Sequence, residues 1–471
     1  MLFKDFRDYL DKLESAGLLV RVKKEVSHRF EISAGLRKIS DNDGPALLFE
    51  NVSGYPGWRV IGGLFATQRL LAFALQAENR EDKLQERYLE FDQKSVEPIE
   101  VSSGPVKEVI INGNEVDLTK LPVPIYCEHD NGPYLTAGVE MLRHPTTGEQ
   151  NAAIYRRQIL DKNTTTLWMP PAGTIAGHST LIMQATEELG KPAGIATVLG
   201  VHPAITIASQ IKAPFGLDEV SIAGAINGKA VEVVKCETID VHVPADAEIV
   251  IEGIIQPGET LNDGPFGEFP GNYITLGGKY LTSSGKMETM ANVVKVTAIT
   301  MRKDAIFEAM LTGMPTTENH VLRKWAWEAA LYRVVVQQVP YLDDIRGINV
   351  TMPSTNHHAI ISIKKRTESL PRELIYSILT SAKGMLVGRI VIVDDDIDVY
   401  NPSEVEWAIA TRVKPDRDVI IIPPVPPAPE SIITSPLMAH RWGIDATAPL
   451  TKEPWAYKRA VPPGVDNVDY V

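Results

Sequence analysis

The segment Asn262-Asp263-Gly264-Pro265-Phe266-Gly267-Glu268 sets two carboxylates five positions apart around a Gly-Pro-Phe-Gly turn. Held on a rigid turn, such a pair can face one small volume, one acid staying charged while the other is kept protonated. Proton delivery needs that inequality. On its own the turn also reads as ordinary solvated punctuation, so its company decides. Upstream, Asn151, Arg156, His178 and Glu219 follow in an order that makes sense as parts of one site. Arg156 comes five positions after Asn151 on an expected strand, and its planar fork suits a carboxylate of the protein or of a substrate. The competing reading is an arginine that balances Asp263 and Glu268 in a structural ion network.

Asn151 and Glu219 offer oxygens and His178 a ring nitrogen. That mostly hard donor set suits Mn²⁺ or Mg²⁺ bridging to a phosphate better than a structural zinc. His178 directly precedes Ser179 at the start of an expected helix, a place suited to anions. Most of the ten histidines, such as His28, His202 and His440, read as surface or satisfied core residues, because a ligand needs partners.

Surrounding elements must position these groups. Phe6, Leu10 and Leu13 follow helical spacing up to Ala16-Gly17, and residues 18–22 read as a strand. With strands at 46–49 and 59–61 and a helix at 68–76, the first hundred residues form an α/β unit. The charged stretch 78–100 is the expected first boundary. From about 105 to 300, short β-rich runs dominate, at 109–111, 136–139, 193–199, 230–234 and 249–251. Ile226-Asn227-Gly228-Lys229 signals a hairpin, and one helix, 179–189, interrupts the strands. That texture predicts a barrel or sandwich. Val321–Val339 carries apolar residues on a helical period and is expected to connect two domains. Strand and helix then alternate, with strands at 359–363, 389–393 and 419–422 and helices at 372–381 and 402–413. Asn401-Pro402-Ser403-Glu404 supplies the second helix with a cap, an N1 proline and an N3 acid. A Pro-rich segment at 423–429 leads to a tail expected to wrap a neighbour, and no internal repeat is present.

Several separated motifs stand in one order: Asn151-Ala-Ala-Ile-Tyr-Arg156, His178 heading a helix that ends Leu189-Gly-Lys-Pro192, and Glu219 followed by Val-Ser-Ile-Ala-Gly224. Val234-Lys-Cys-Glu237, Glu248-Ile-Val-Ile-Glu-Gly253 and Asp263-Gly-Pro-Phe-Gly-Glu268 complete the series. Together they resemble the UbiD family of reversible decarboxylases that use prenylated FMN, from the N-terminal helix to about residue 450. The resemblance implies a mixed α/β (α+β) chain: an N-terminal α/β domain at 1–104, a flavin-binding split β-barrel domain at 105–305, a connecting helix at 306–340, a C-terminal α/β oligomerisation domain at 341–450 and a tail at 451–471.

Carried over position by position, the resemblance places a cofactor-phosphate metal, Mn²⁺ or Mg²⁺, on Asn151, His178 and Glu219. Ile154, Tyr155 and Arg156 would line the prenylated flavin. K⁺ would sit on the backbone of Ala208 and Ser209 with Glu219 shared. Asp263, Arg156 and Glu268 fall on the family's acid–arginine–acid constellation, with Glu268 as proton donor. Asp263 stands where the family commonly has a glutamate, one methylene longer. The segment between Arg156 and His178 is a few residues longer than in many relatives. Arg389 falls where relatives often carry a lysine that reaches the cofactor. Met314 and His320 lie where the family closes its site and are candidates to contact substrate, or equally to cap the helix that follows. The implied reaction is loss of CO₂ from an aromatic or heteroaromatic acid through a covalent cofactor–substrate adduct. A flavin prenyltransferase would supply the cofactor, and the protein would form a homo-oligomer, a dimer or hexamer.

The 471 residues carry 47 Lys and Arg against 60 Asp and Glu, a net charge of −13 that argues against a general nucleic-acid or anionic-membrane partner. No apolar run reaches the roughly 20 residues that span a bilayer. Charges crowd the first eight residues where a secretory signal needs an apolar core, and only Cys127 and Cys236 occur, so a cytoplasmic location is expected. Three rival functions stand beside the main one. A polyprenyl-hydroxybenzoate decarboxylase of ubiquinone biosynthesis would need an apolar entrance, and no amphipathic segment offers one. A reductase on plain FMN would need hydride from a nicotinamide, and no Gly-x-Gly-x-x-Gly follows a strand. A non-catalytic carrier would have no use for a proton donor.

Overall fold

Phe6, Tyr9, Leu10 and Leu13 are buried along one face of the helix Phe6–Ser15, whose first turn is capped by Asp5 accepting from the Asp8 N–H at 2.8 Å. The computed structural model describes residues 2–91, 94–169, 177–213, 216–267, 279–281, 287–380, 387–425, 439–451, 453–457 and 459–464. The chain divides into two compact units: Met1–Ala330 with Thr351–Asn356 and Pro426–Ala439, and Leu331–Val350 with His357–Val425 and His440–Val471. The fold is mixed α+β.

In the first unit, a four-stranded sheet runs in the order Leu19–Val22, Ala46–Phe49, Arg59–Gly62, Ile306–Ala309. Its fourth strand pairs parallel with Arg59–Gly62 although the whole central region intervenes in sequence. The segment of the expected boundary at 78–100 is ordered: Glu81–Phe91 is a helix that buries Leu84, Tyr88 and Phe91, and Ile99–Glu100 pairs with Glu232–Lys235.

The buried strand Ile306–Ala309 carries Glu308, whose Oε2 accepts the Gly200 N–H at 2.9 Å. Burial, reinforced by Glu318, pushes its carboxyl up to about 8. An acid with a raised folded-state pKa holds its proton more tightly folded than unfolded. It therefore favours folding fully below the unfolded pKa of about 4.3, and that advantage is lost as pH rises through the folded value. Stability from urea unfolding should fall between pH 5 and pH 8, and Glu308→Gln should flatten this slope by up to about 1.4 kcal/mol per pH unit. Equal slopes for the two proteins would exclude Glu308 as the source.

An antiparallel sheet of eight strands forms the centre of this unit. Its path runs Thr164–Leu167, Met287–Met301, Ile249–Asn262, Ala193–Leu199, Val139–Arg143, Gln150–Ile154, while Val109–Asn112 and Lys279–Leu281 also pair with Met287–Met301. Leu142, Leu167, Ile182, Ile195, Ile255 and Val294 make a core between this sheet and the helix His178–Glu188. Arg157, on a separate two-stranded ladder with Tyr134–Leu135, reaches a buried network on this sheet: Thr197 donates to Glu140 Oε2 at 2.8 Å, Arg157 Nε donates to Thr165 at 3.0 Å, and Arg157 Nη1 also meets Thr197.

Besides the one helix expected among these strands, the region holds two more, Pro203–Ala208 and Glu219–Asn227. The hairpin expected at Ile226–Lys229 is instead the end of the second of these. Gly228 adopts φ 73° and its N–H reaches the Gly224 carbonyl. Asn-Gly supplies the same left-handed residue to a helix C-terminus as to a tight hairpin, and the apolar run before it forms a buried helix.

The second unit holds a five-stranded sheet in the order Ile345–Val350, His358–Ile363, Arg389–Asp394, Ala439–Ala446, Val419–Val425. The first pair is antiparallel and the next two are parallel. Val391, Val393, Val399, Val405 and Ile444 form its core with the helix Pro402–Arg412. Asn401 caps that helix through the Ser403 N–H at 3.1 Å, as its sequence requires. The connecting helix runs Glu318–Val335, beginning three residues before Val321.

Candidate active site

Asn151 lies on the strand Gln150–Ile154, opposite Leu142 across the sheet. Its amide nitrogen donates to Ser179 Oγ at 2.7 Å, which draws it to the first turn of His178–Glu188. Glu219 opens its own helix behind the cap Asp218, which accepts the Val220 N–H at 2.9 Å. One Glu219 oxygen accepts the Ala152 N–H at 2.9 Å, and the other lies 3.6 Å from His178 Nδ1. A strand and two helices thus bring Asn151, His178 and Glu219 together. Donor atoms 3.6 Å apart can both stand at about 2.1 Å from one hard cation, so the set fits such an ion. Among the described residues no three His, Cys, Asp or Glu side chains gather as a metal site; this set has two of those types and takes its third donor from Asn151.

Ser179, which sequence reasoning missed, joins two parts of the site, since the Tyr155 hydroxyl also bonds to it. Burial pushes the Tyr155 phenol up. A Cβ on Gly177 would lie 3.6 Å from that hydroxyl. Ile154 ends the same strand, half-buried beside Tyr155. Lys212 interacts with Glu219 as well: the protein around it and Arg323 push its ammonium down to about 8, while Glu219 opposes them. Its side chain remains exposed to solvent. Ala208 and Ser209 close the helix Pro203–Ala208, which packs on Glu219–Asn227. The Ala208 carbonyl already accepts the Ile211 N–H at 2.9 Å and keeps a second lone pair.

Two residues beyond Ile154, Arg156 Nη2 donates to Asp263 Oδ2 at 2.5 Å, and the Asp263 side chain is 1% exposed. Thr166 donates to the other Asp263 oxygen at 2.6 Å. The shorter acid therefore reaches Arg156. The guanidinium also lies 5.8 Å from the Trp168 ring and 5.4 Å from that of Phe266. Cation–π attraction in this half-buried setting holds its plane in place.

The turn after Asp263 is pinned along its length. Gly264 sits at φ 90°, which favours glycine, and donates to Gln158 Oε1 at 3.1 Å. Pro265 O accepts the Asn131 N–H at 2.8 Å, and Gly267 N–H donates to Asp130 Oδ1 at 2.7 Å. Phe266 is buried with its ring 4.1 Å from that of Tyr134. Burial raises the Asp130 carboxyl against the pull of its amide donors and of Arg156. Glu268, the expected proton donor, lies outside the described residues.

Met314 is 63% exposed, and its carbonyl accepts Arg37 Nη1 at 2.6 Å. His320 is buried: its Nδ1 accepts the Thr317 N–H at 3.1 Å, a capping contact at the start of its helix. Arg389 belongs to the second unit, where it stands 5.6 Å from the Trp442 ring. Burial lowers its guanidinium, with Glu406 opposing.

Three family models cover most of the chain. The 3-octaprenyl-4-hydroxybenzoate carboxy-lyase N-terminal domain matches residues 10–87, the Rift-related domain 98–315 and the C-terminal domain 320–446. A protein of Archaeoglobus fulgidus is 33% identical over 99% of this chain and 96% of its own. Among solved structures, the UbiD-class enzyme HmfF from Pelotomaculum thermopropionicum, in complex with FMN, is 35% identical over 99% of both chains, with a TM-score of 0.84. An evolved dimeric form of HmfF in complex with prenylated FMN gives 34% over 99% of both chains and 0.82. The vanillic acid decarboxylase of Sedimentibacter hydroxybenzoicus gives 28% over 99% of this chain and 97% of its own, and 0.85. Likeness along the full length of both chains, at such identity, is that of a common ancestor, and the chain belongs to the UbiD family of carboxy-lyases.

Proposed function

We propose that this protein is a prenylated-FMN-dependent, non-oxidative and reversible decarboxylase of an aromatic or heteroaromatic acid. The observation that carries the reading is the Arg156–Asp263 pair, buried beside two aromatic rings and two residues from the strand that bears Asn151. Relatives that bind FMN or prenylated FMN support the cofactor. When bound, prenylated FMN supplies the electron sink that no side chain offers once CO₂ leaves an sp² carbon.

The chain's own residues orient, hold and protonate. Asn151, His178 and Glu219 would hold Mn²⁺ or Mg²⁺ against the cofactor phosphate, and the carbonyls of Ala208 and Ser209, with Glu219, would hold K⁺. Ile154 and Tyr155 line the flavin. Arg156 binds the substrate carboxylate, and Asp263 fixes the guanidinium plane. Glu268 gives its proton to the carbon that CO₂ has left and is reprotonated from water.

The test is to co-produce the chain with a flavin prenyltransferase, record its absorbance and native mass, and measure CO₂ release from a panel of aromatic acids. Bound prenylated flavin with CO₂ release is expected. Bound plain FMN with nicotinamide-driven reduction would replace the proposal by a reductase. In the same assay Glu268→Gln should keep its flavin and lose about 10²-fold or more in kcat. Turnover at the wild-type rate would remove Glu268 from the proton-donor role.

A further inference from the structure

Asp130 is a carboxylate used between two segments far apart in the chain. Its Oδ2 accepts the N–H of Cys127 at 2.7 Å, closing its own loop, and its Oδ1 accepts the N–H of Gly267 at 2.7 Å. The next residue in the loop, Asn131, returns a bond from its N–H to the Pro265 carbonyl at 2.8 Å. Gln158 supplies a third tie, taking the Gly264 N–H on its oxygen and donating from its nitrogen to the Asn131 carbonyl. The turn is thus fixed at three successive points. Its near end, Asp263, is bonded to Arg156 and Thr166, and its far end, Gly267, to Asp130. Glycine leaves room for this approach: a Cβ on Gly267 would press on Cys127 Sγ at 3.3 Å and touch Asp130 Oδ1 at 3.6 Å.

We propose that Asp130 is a positioning residue for decarboxylation, holding the far end of the turn at Gly267 so that Asp263, at its near end, stays on Arg156. The inference rests on the decarboxylase reading above. Only an ionised acid can serve both amides, because it accepts on two oxygens. Asparagine keeps one acceptor and turns an amide N–H₂ toward the other N–H. The negative charge of Asp130 also acts on Arg156, so loosening it alters the field at the guanidinium as well as the turn.

Two measurements test this on Asp130→Asn and Asp130→Ala. In the holoenzyme, kcat should fall about 10²-fold while KM and flavin content stay within about twofold, the signature of lost alignment rather than lost binding. In Asp130→Ala, with or without flavin, hydrogen exchange at the Gly267 amide should quicken by about tenfold or more, since its acceptor is gone. An unchanged exchange rate overturns the tether. Faster exchange with kcat within about threefold of wild type, or a loss carried only by KM or flavin content, overturns the positioning role. Wild-type protein that binds the flavin and releases no CO₂ overturns the decarboxylase reading and the catalytic part of this inference, whereas the exchange rate still decides the tether.

Discussion

Arg156→Ala should lower kcat by about 10³–10⁴-fold, because it removes the substrate's carboxylate partner and the fixed charge beside the reacting carbon at once. Among the described residues, the other side-chain donor to Asp263 is the neutral hydroxyl of Thr166. Asp263 would be left buried with its charge uncompensated, a situation that costs about 3–5 kcal/mol of stability when a buried pair is broken. Arg156→Lys should recover most of that stability and little of the activity. Lysine is a point charge and cannot reproduce a planar fork between the Trp168 and Phe266 rings. Steady-state kinetics on flavin-loaded protein, with urea unfolding of the same samples, separates the two effects. A lysine variant turning over within about tenfold of wild type would mean that a simple positive charge suffices.

Glu140→Ala should produce the largest loss of stability without touching the site. Glu140 and Arg157 are both fully buried, with 3.5 Å between Oε2 and Nη1. Burial pushes the Glu140 carboxyl up and the Arg157 guanidinium down, against their mutual attraction. Truncating the acid leaves a buried guanidinium whose remaining side-chain partners among the described residues are the neutral hydroxyls of Thr165 and Thr197, at a cost of about 3–5 kcal/mol. Replacing both partners, Glu140→Leu with Arg157→Met, should restore most of it, since an apolar pair of similar volume bears no desolvation cost. Urea midpoints of the wild-type protein and the two variants give the answer. A double variant as unstable as the single would show that packing, not uncompensated charge, sets the loss.

The sequence made the site legible where side-chain chemistry and order sufficed. Asn151, His178 and Glu219 do meet, and Arg156 does reach Asp263. What escaped depends on long-range partners. Asp130 and Gly267 are 137 positions apart, and no local period encodes a carboxylate that will accept a distant backbone amide. The helix Glu219–Asn227 is not legible because it is buried on nearly every side, which erases the helical period and leaves Asn227-Gly228 to signal a hairpin. His320 was open between substrate and cap from its neighbours Thr317 and Asn319, and its ring nitrogen lies on the Thr317 amide. The strand Ile306–Ala309 gave no sign that it would return to the first sheet, because parallel pairing leaves no mark in either strand.

That return has a consequence for synthesis. Until residue 309 has emerged, Arg59–Gly62 presents an open edge, and with the ribosome adding about 5–20 residues each second the wait lasts on the order of tens of seconds. An unpaired strand edge held that long is a site for pairing with another chain. The nascent protein therefore passes through a sticky stage set by topology alone, and the making of the central strands is the clock that ends it.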